Sequence, residues 1–204
     1  MALSGFVLFA FAVEHVVGTL LFLKGPDAIN GYGRLLHSSP PLIWTFRSLL
    51  LGAVGLHICV AAQLYFRQRA ARPVGYQTRR YLRSTYAART MKYSGPFIVA
   101  FVLFHLAHLT WGYHIVDEPF IPGDIYSNML NGFRAGWVSV VYVTAVSLLG
   151  IHLLHGAHSM FESLGLRHRR IESWLFGFAK VVALVVGVGL ALAPIAVIFG
   201  MVGG

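Results

Sequence analysis

The chain has 204 residues, of which 57% are hydrophobic and 11% charged, and its mean hydropathy is +0.69. A soluble domain carries about 25% charged residues, so this composition argues against an ordinary soluble domain and favours a chain whose main solvent is lipid. The formal net charge of +9 does not indicate nucleic acid, because the basic residues cluster in two loops between apolar segments. The single cysteine, Cys59, excludes an internal disulfide framework and is predicted to be a small packing residue.

Five segments reach the length of about 20 mostly apolar residues that a membrane-spanning helix needs. The first has no basic region before it and no clean small-residue cleavage site after it, so we predict a span and not a cleaved signal peptide. Turn signals separate the segments, and no linker or low-complexity tract divides residues 1–204. We therefore predict a single all-α membrane domain with spans at roughly 3–23, 45–66, 94–115, 136–161 and 174–200.

The basic residues predict the direction of the spans. The 67–93 and 162–172 loops hold eleven lysines and arginines, whereas the other two loops, together with the start of the second span, hold four. By the positive-inside rule the two basic loops are cytoplasmic, which puts the amino terminus inside and the carboxyl terminus outside. Lipid head groups and topology account for most of these charges, and a docking surface for a cytoplasmic partner on the 67–93 loop is a further reading.

One histidine lies well inside each of the first four spans, where a polar ring is costly and usually marks function. The first span reads SGFVLFAFAVEH (4–15) and the third SGPFIVAFVLFH (94–105), so His15 and His105 end the same Ser-Gly-x9-His pattern. The second and fourth spans carry GLH and GIH, which end on His57 and His152. Because the first and third spans run in one direction and the second and fourth in the other, each pair should lie at one depth. The chain resembles a two-helix unit used twice, followed by a fifth helix.

Two imidazoles at one depth in a helix bundle are what a haem iron needs, one on each face of the macrocycle. Zinc would need three or four converging ligands, and non-haem iron would need carboxylate. Glu14 is the only acid deep in a span. We therefore predict a four-helix bundle around two haems, one held by His15 with His105 and the other by His57 with His152. Small residues near these positions leave room for a porphyrin plane, although they suit close helix packing equally well: Gly5, Gly18, Gly52, Gly55, Gly95, Gly150 and Gly156.

Other histidines share a helix face with two of these residues, so spacing alone does not select the ligands. His108 follows His105 by three residues, and His155 follows His152 by three. His158 lies near the inner boundary and is expected to meet lipid head groups, a haem propionate or a quinone.

With these residues in view, the chain resembles the cytochrome b membrane anchor of succinate:quinone oxidoreductase. The nearest group is the single-subunit, five-helix, two-haem type of menaquinone-using bacteria, together with related fumarate reductase anchors. The resemblance covers nearly the whole chain, and the fourth span is its most specific part. That span has the family's His-x3-Gly pattern in HLLHGAHSMFESLGL, 152–166, which selects His152 over His155. The spacing in the third span selects His105 over His108.

The resemblance implies a function in the plasma membrane of a bacterium. The family's anchor docks a cytoplasmic iron–sulfur subunit, which carries a flavoprotein that oxidises succinate, and passes electrons to or from quinone, here menaquinone. The succinate site is therefore not on this chain. The resemblance also implies that both haems are b-type, with the distal haem held by His15 and His105 and the proximal haem by His57 and His152. A higher oligomer of the whole complex is left open.

Some relatives have a glutamate two residues before the ligand of the fourth span, where it is linked to proton movement. Gly150 stands at that position here, and Glu14, next to His15, is the alternative candidate for a proton or quinone role.

Haem propionates and a quinone head group both need hydrogen-bond donors. For the propionates the candidates are Arg89, Lys92 and Arg167 on the inner side and Arg47 and Arg134 on the outer side. For either ligand the candidates are Ser4, Ser94, His155, His158, Trp111 and Tyr113.

Two other functions fit the same residues. The cytochrome b anchors of membrane hydrogenases and formate dehydrogenases also carry two haems with paired histidine ligands. A haem-free multi-pass transporter would use intramembrane histidines to bind protons or metal ions, and it would be colourless.

Overall fold

A computed structural model of the chain describes residues 1–71, 74, 85–166, 168 and 170–203. Over these residues the fold is entirely helical, without strands. The elements in chain order are α1 (Ala2–Leu20), a 3-10 turn (Leu21–Lys24), α2 (Pro26–His37), α3 (Pro40–Ala70), α4 (Tyr86–Leu109), α5 (Ile125–Arg134), α6 (Gly136–Ser163) and α7 (Glu172–Ile198).

Five of these helices are long and apolar enough to cross a membrane: α1 with its 3-10 turn, α3, α4, α6 and α7. The prediction of five helices of this kind is confirmed for the part of the chain that the structure describes. Helices suit such segments because a spanning helix satisfies all its backbone hydrogen bonds internally, where no water is available. The chain is accordingly a candidate multi-pass membrane protein.

The structure contains two short helices, α2 and α5, in segments where the turn signals of the sequence predict loops. α2 starts with proline at its first position, after Gly25 in a left-handed conformation (φ 103°). α5 starts after Asp124, whose carboxylate accepts a hydrogen bond from the backbone N–H of Ser127. Each short helix connects two long helices, so the repeated unit has three helices, α1–α2–α3 and then α4–α5–α6.

The predicted end of the third span, residue 115, is wrong, because α4 ends at Leu109. The chain turns there through Gly112, whose φ is 67°, and an added Cβ at this glycine would lie 2.5 Å from the ring of Phe120. Trp111 and Tyr113 consequently lie beyond the helix, in the loop that leads to α5.

The two short helices pack together across one end of the bundle, which we call the capped end. The side-chain amide of Asn30 in α2 donates to Asp124 (3.0 Å), and the backbone N–H of Tyr126 donates to the carbonyl oxygen of the Asn30 amide (3.1 Å). A buried cluster joins this cap to the long helices: Phe22, Ile29, Met129, Phe133, Val138, Tyr142, Ala193 and Val197.

Among the long helices, α6 packs along α7 and also contacts α4 and α1. Gly150 of α6 lies against α7, where an added Cβ would be 3.2 Å from the carbonyl oxygen of Ala183. In contrast, only Ala53 is buried among the residues of α3, all of which the structure describes. α3 therefore meets its neighbours over a small area, chiefly along α1.

At the opposite end of the bundle α3 and α6 end and α4 and α7 begin, and we call this the basic end. The lysines and arginines that the structure describes there are Arg67, Arg69, Arg89, Lys92 and Arg170. Other basic residues of the two predicted cytoplasmic loops lie outside the described residues: Arg72, Arg79, Arg80, Arg83, Arg167 and Arg169.

Candidate functional site

Four histidines of the long helices meet in two pairs, each formed by helices that run in the same direction. His15 of α1 and His105 of α4 have ring centres 5.8 Å apart, with ring planes at 85°. His57 of α3 and His152 of α6 have ring centres 6.5 Å apart, with planes at 57°. We call these the capped-end pair and the basic-end pair, after the ends of the bundle to which they lie nearer.

The two pairs lie at different levels along the bundle. Ser4 of α1 contacts His57 of the basic-end pair, and His15 of the capped-end pair follows eleven residues later in the same helix. A rise of 1.5 Å per residue separates the two levels by about 16 Å. α4 repeats this arrangement, because Ser94 contacts His152 and His105 follows eleven residues later. Two levels about 16 Å apart fit within a hydrocarbon core that is about 30 Å thick.

The geometry of each pair fits two axial ligands of one metal ion. Two imidazoles that bind one ion from opposite sides, each at a metal–nitrogen distance of about 2 Å, have ring centres roughly 6 Å apart. The separations of 5.8 Å and 6.5 Å lie on either side of this value. Within the described residues no three histidine, cysteine, aspartate or glutamate side chains form a metal-binding group, so each level offers two rings. Gly156, four residues after His152 and on the same helix face, would carry an added Cβ with no atom within 4 Å.

The hydrogen-bond partners of the basic-end pair are two buried serines. Ser4 Oγ lies 3.4 Å from Nδ1 of His57, and Ser94 Oγ lies 3.1 Å from Nδ1 of His152. Both contacts use Nδ1, which leaves Nε2 of each ring as the nitrogen available to a metal ion. The sequence had marked these serines as candidates for a propionate or a quinone, whereas the structure brings each of them to a histidine.

The capped-end pair has a different partner, Tyr142 of α6. Its hydroxyl lies 3.2 Å from Nδ1 of His105 and 3.0 Å from Nδ1 of His108. His108 is buried against α5, where an added Cβ at Gly132 would be 2.3 Å from its Nε2. The ring of His105 instead faces that of His15. Spacing alone did not choose between His105 and His108 on α4. The structure distinguishes them, because His108 faces the cap and His105 faces His15.

Sequence reasoning missed Tyr142. The available signal was a tyrosine in the middle of an apolar segment, since the hydroxyl of a buried tyrosine usually finds a hydrogen-bond partner. Tyr142 also lies ten residues before His152 in α6, about 15 Å along the helix. This second measure of the distance between the two levels agrees with the first.

Glu14 is hydrogen-bonded to a residue of the cap. Its carboxylate accepts a hydrogen bond from the hydroxyl of Tyr32 in α2, and the Tyr32 ring packs over Gly18, where an added Cβ would be 2.9 Å away. Partial burial and this hydrogen bond raise the pKa of Tyr32 to about 12, so the phenol remains a donor at physiological pH. Tyr32 is a second residue near the capped-end pair that the sequence had not singled out.

His155 and His158 line a cavity near the basic end. It lies between the start of α4, the last turns of α6 and the start of α7. The cavity has a volume of about 230 Å³ and a mostly apolar lining of Thr85, Tyr86, Ala87, Ile151, Leu154, His155, His158 and Phe176. The ring of His158 packs edge-on against Phe176, with centres 5.8 Å apart. His155 thus points to this cavity and not to the ring of His57, which is the neighbour of His152.

The remaining candidates lie at the two ends of the bundle. Arg89 and Lys92 are exposed in the first turns of α4, and the Lys92 ammonium lies 4.6 Å from the centre of the Tyr93 ring. Arg47 is partly buried near the start of α3, and exposed Arg134 donates to the carbonyl oxygen of Gly203. Arg167 lies outside the described residues, so its predicted role stays a prediction.

Trp111 and Tyr113 are both exposed beyond the end of α4, and their ring centres are 6.2 Å apart. Tyr113 and His108 line a small pocket of about 20 Å³ under this loop, which is room for one water molecule. These two aromatic residues therefore belong to the capped end, at a distance from the cavity beside His158.

Comparisons of the chain with protein-family models, with curated proteins and with solved structures found no match. The paired histidines and the five long apolar helices therefore carry the functional argument.

Proposed function

We propose that this chain is the membrane-anchor cytochrome b of a succinate:quinone oxidoreductase, in which two haems relay electrons between a cytoplasmic iron–sulfur subunit and membrane quinone. The observation that supports this proposal most directly is the arrangement of four histidines in two pairs. Each pair joins two helices of like direction, and the pairs lie about 16 Å apart along the bundle by the rise of the helix. The Ser-Gly-x9-His repeat and the His-x3-Gly pattern of the fourth span support the same family.

In this proposal His15 and His105 would hold one b-type haem, and His57 and His152 would hold the other through Nε2. Such haems supply one-electron chemistry, and with two protein ligands they have no open position for oxygen. Hydrogen bonds to Nδ1 of His57, His105 and His152 would set the orientation and basicity of these rings.

The basic end would face the cytoplasm, by the positive-inside rule. Its lysines and arginines provide a surface for an iron–sulfur subunit with complementary charge, and that subunit would carry the flavoprotein. On this reading the basic-end pair holds the haem nearer to the iron–sulfur subunit and the capped-end pair holds the distal haem.

The cavity beside His155 and His158 is the candidate slot for the quinone ring. Its volume of about 230 Å³ and its mainly apolar lining suit a flat ring, and quinone oxygens need a few donors in such surroundings. His158 and Tyr86 can supply them. Because the cavity opens near the basic end, quinone bound there would be close to the docking surface for the iron–sulfur subunit.

The test is to purify the chain from membranes together with whatever copurifies, and to record a reduced-minus-oxidised spectrum. A b-type haem band with two haems per chain, an accompanying iron–sulfur protein and flavoprotein, and succinate-dependent quinone reduction would support the proposal. Hydrogen- or formate-dependent reduction would favour the other cytochrome b anchors. A colourless protein would refute both cytochrome functions and favour a transporter.

A further inference from the structure

We infer that Ser4 and Ser94 are positioning residues for the basic-end haem, although each lies on a helix whose own histidine binds the other haem. The inference rests on the proposed function, because it concerns the ligands of that haem. The two serines open the two copies of the Ser-Gly-x9-His pattern. In each copy of the pattern, the serine contacts a histidine of the basic-end pair, and the histidine that ends the pattern belongs to the capped-end pair.

The Ser4 hydroxyl has a single hydrogen, and the heavy-atom geometry assigns it to a backbone carbonyl. Ser4 Oγ donates to the backbone carbonyl of Met1 at 2.9 Å. Towards His57, Oγ can therefore only accept, so Nδ1 of His57 carries the hydrogen of the 3.4 Å contact. Nε2 of this neutral ring is then the bare nitrogen, which is the form that binds a metal ion.

Ser94 stands in the same relation to His152. Its Oγ is 3.1 Å from Nδ1 of His152, and a ligand that binds iron through Nε2 must carry its hydrogen on Nδ1. Ser94 is then the acceptor of that hydrogen. Both serines are shielded from solvent water, since Ser94 is 2% exposed and Ser4 is 4% exposed.

One feature indicates more than incidental helix packing. The serine–histidine contact occurs at both copies of the repeat, on different helices. A serine buried only for packing needs no histidine nitrogen at hydrogen-bond distance in each half of the molecule.

The consequence concerns the potential and the retention of one haem. A hydrogen-bond acceptor on Nδ1–H makes the imidazole a stronger electron donor and favours ferric iron. Partners of this kind typically change metal affinity by 10–100-fold when they are removed. Loss of either serine hydroxyl should therefore raise the midpoint potential of the basic-end haem and weaken its retention, with no effect on the capped-end haem.

The experiment uses the full-length chain in its purified complex, with the variants Ser4→Ala, Ser94→Ala and the double variant. Ser147→Ala is the matched control, because exposed Ser147 of α6 bonds only to its own helix, at the carbonyl of Val143. Redox titration followed by optical and electron paramagnetic resonance spectra gives the potential of each haem. The basic-end haem is identified as the one missing from a His57→Ala variant.

We expect both single variants to raise the potential of the same haem, and the double variant to raise it further. If the alanine variants lose that haem, Ser4→Thr and Ser94→Thr should restore it, because threonine keeps the hydroxyl. Unchanged potentials with full haem content, equal movement of both haems, or threonine variants that still lack the haem would overturn the inference. A wild-type chain without b-type haem would instead refute the proposed function itself.

Discussion

The pairing of the histidines can be tested by the number of haems that each variant retains. The wild-type chain should bind two haems. His57→Ala and His152→Ala should each retain one, and the double variant of these two residues should also retain one, because both changes remove the same haem. His57→Ala combined with His15→Ala should retain none, since the two changes fall in different pairs.

The magnitudes follow from the distances in the structure. Ring centres 6.5 Å apart would allow His57 and His152 to bind one metal ion, so removal of the second ligand should cost nothing further in haem number. The two levels are about 16 Å apart by the helix rise, and effects at sites more than about 7–10 Å apart are usually additive. Haem loss should therefore be fully non-additive within a pair and fully additive between pairs.

The assay is the ratio of extracted haem to protein, measured on each purified variant, with circular dichroism to check the helix content. His155→Ala is the matched control, since His155 is three residues from His152 on the same helix but lines the cavity near the basic end. Imidazole added to His152→Ala should restore part of the missing haem. A double His57→Ala/His152→Ala variant without any haem, or a His155→Ala variant that loses one, would show that the assignment is wrong.

Three further predictions concern the cap and the cavity. Gly132→Ala should lower the thermal midpoint, because the new Cβ would lie 2.3 Å from Nε2 of buried His108 and overpacking of this kind costs about 1–3 kcal/mol. Gly136→Ala is the control, since its new Cβ would have no atom within 4 Å. Equal midpoints for the two variants would contradict this prediction. Hydrogen bonds from Ser127 and Asn30 lower the pKa of Asp124. The contribution of this carboxylate to the stability of the protein should therefore be complete above the ordinary carboxyl pKa and disappear as the pH falls through the lowered value. Thermal midpoints should show this acid step in the wild type and not in Asp124→Asn. His158→Leu should raise the KM for quinone and leave haem content intact, and an unchanged KM would place the quinone elsewhere.

The long helices were predictable because lipid imposes a length and an apolar composition on any segment that crosses it. The short helices α2 and α5 were not predictable in this way. GPDAINGYG (25–33) and the segment 119–134 contain Gly, Pro and Asn, which by themselves indicate turns. These segments become helical because each has one apolar side, and the other short helix and the bundle end cover it. Tertiary packing here outweighs local propensity.

The histidine pairs were predictable because a repeat within helices of known direction fixes relative depth. Their hydrogen-bond partners were not predictable in the same way, since Ser4 is 53 residues from His57 and Ser94 is 58 from His152. Spacing within a helix states which residues share a face, but not which face meets a helix far along the chain. Glu14 illustrates the same limit. The sequence identifies it as an acid within a span, but it does not identify Tyr32 on α2 as its hydrogen-bond partner.

The cap also constrains the order in which the protein can be made. Asn30 and Asp124 are separated by 94 residues, so the first short helix leaves the ribosome long before its partner exists. During synthesis α2 must wait, unpaired, until α3 and α4 have been inserted. Chains truncated before residue 124 should therefore expose α2 to protease at the membrane surface, and slightly longer chains should become resistant as the two short helices close over the bundle.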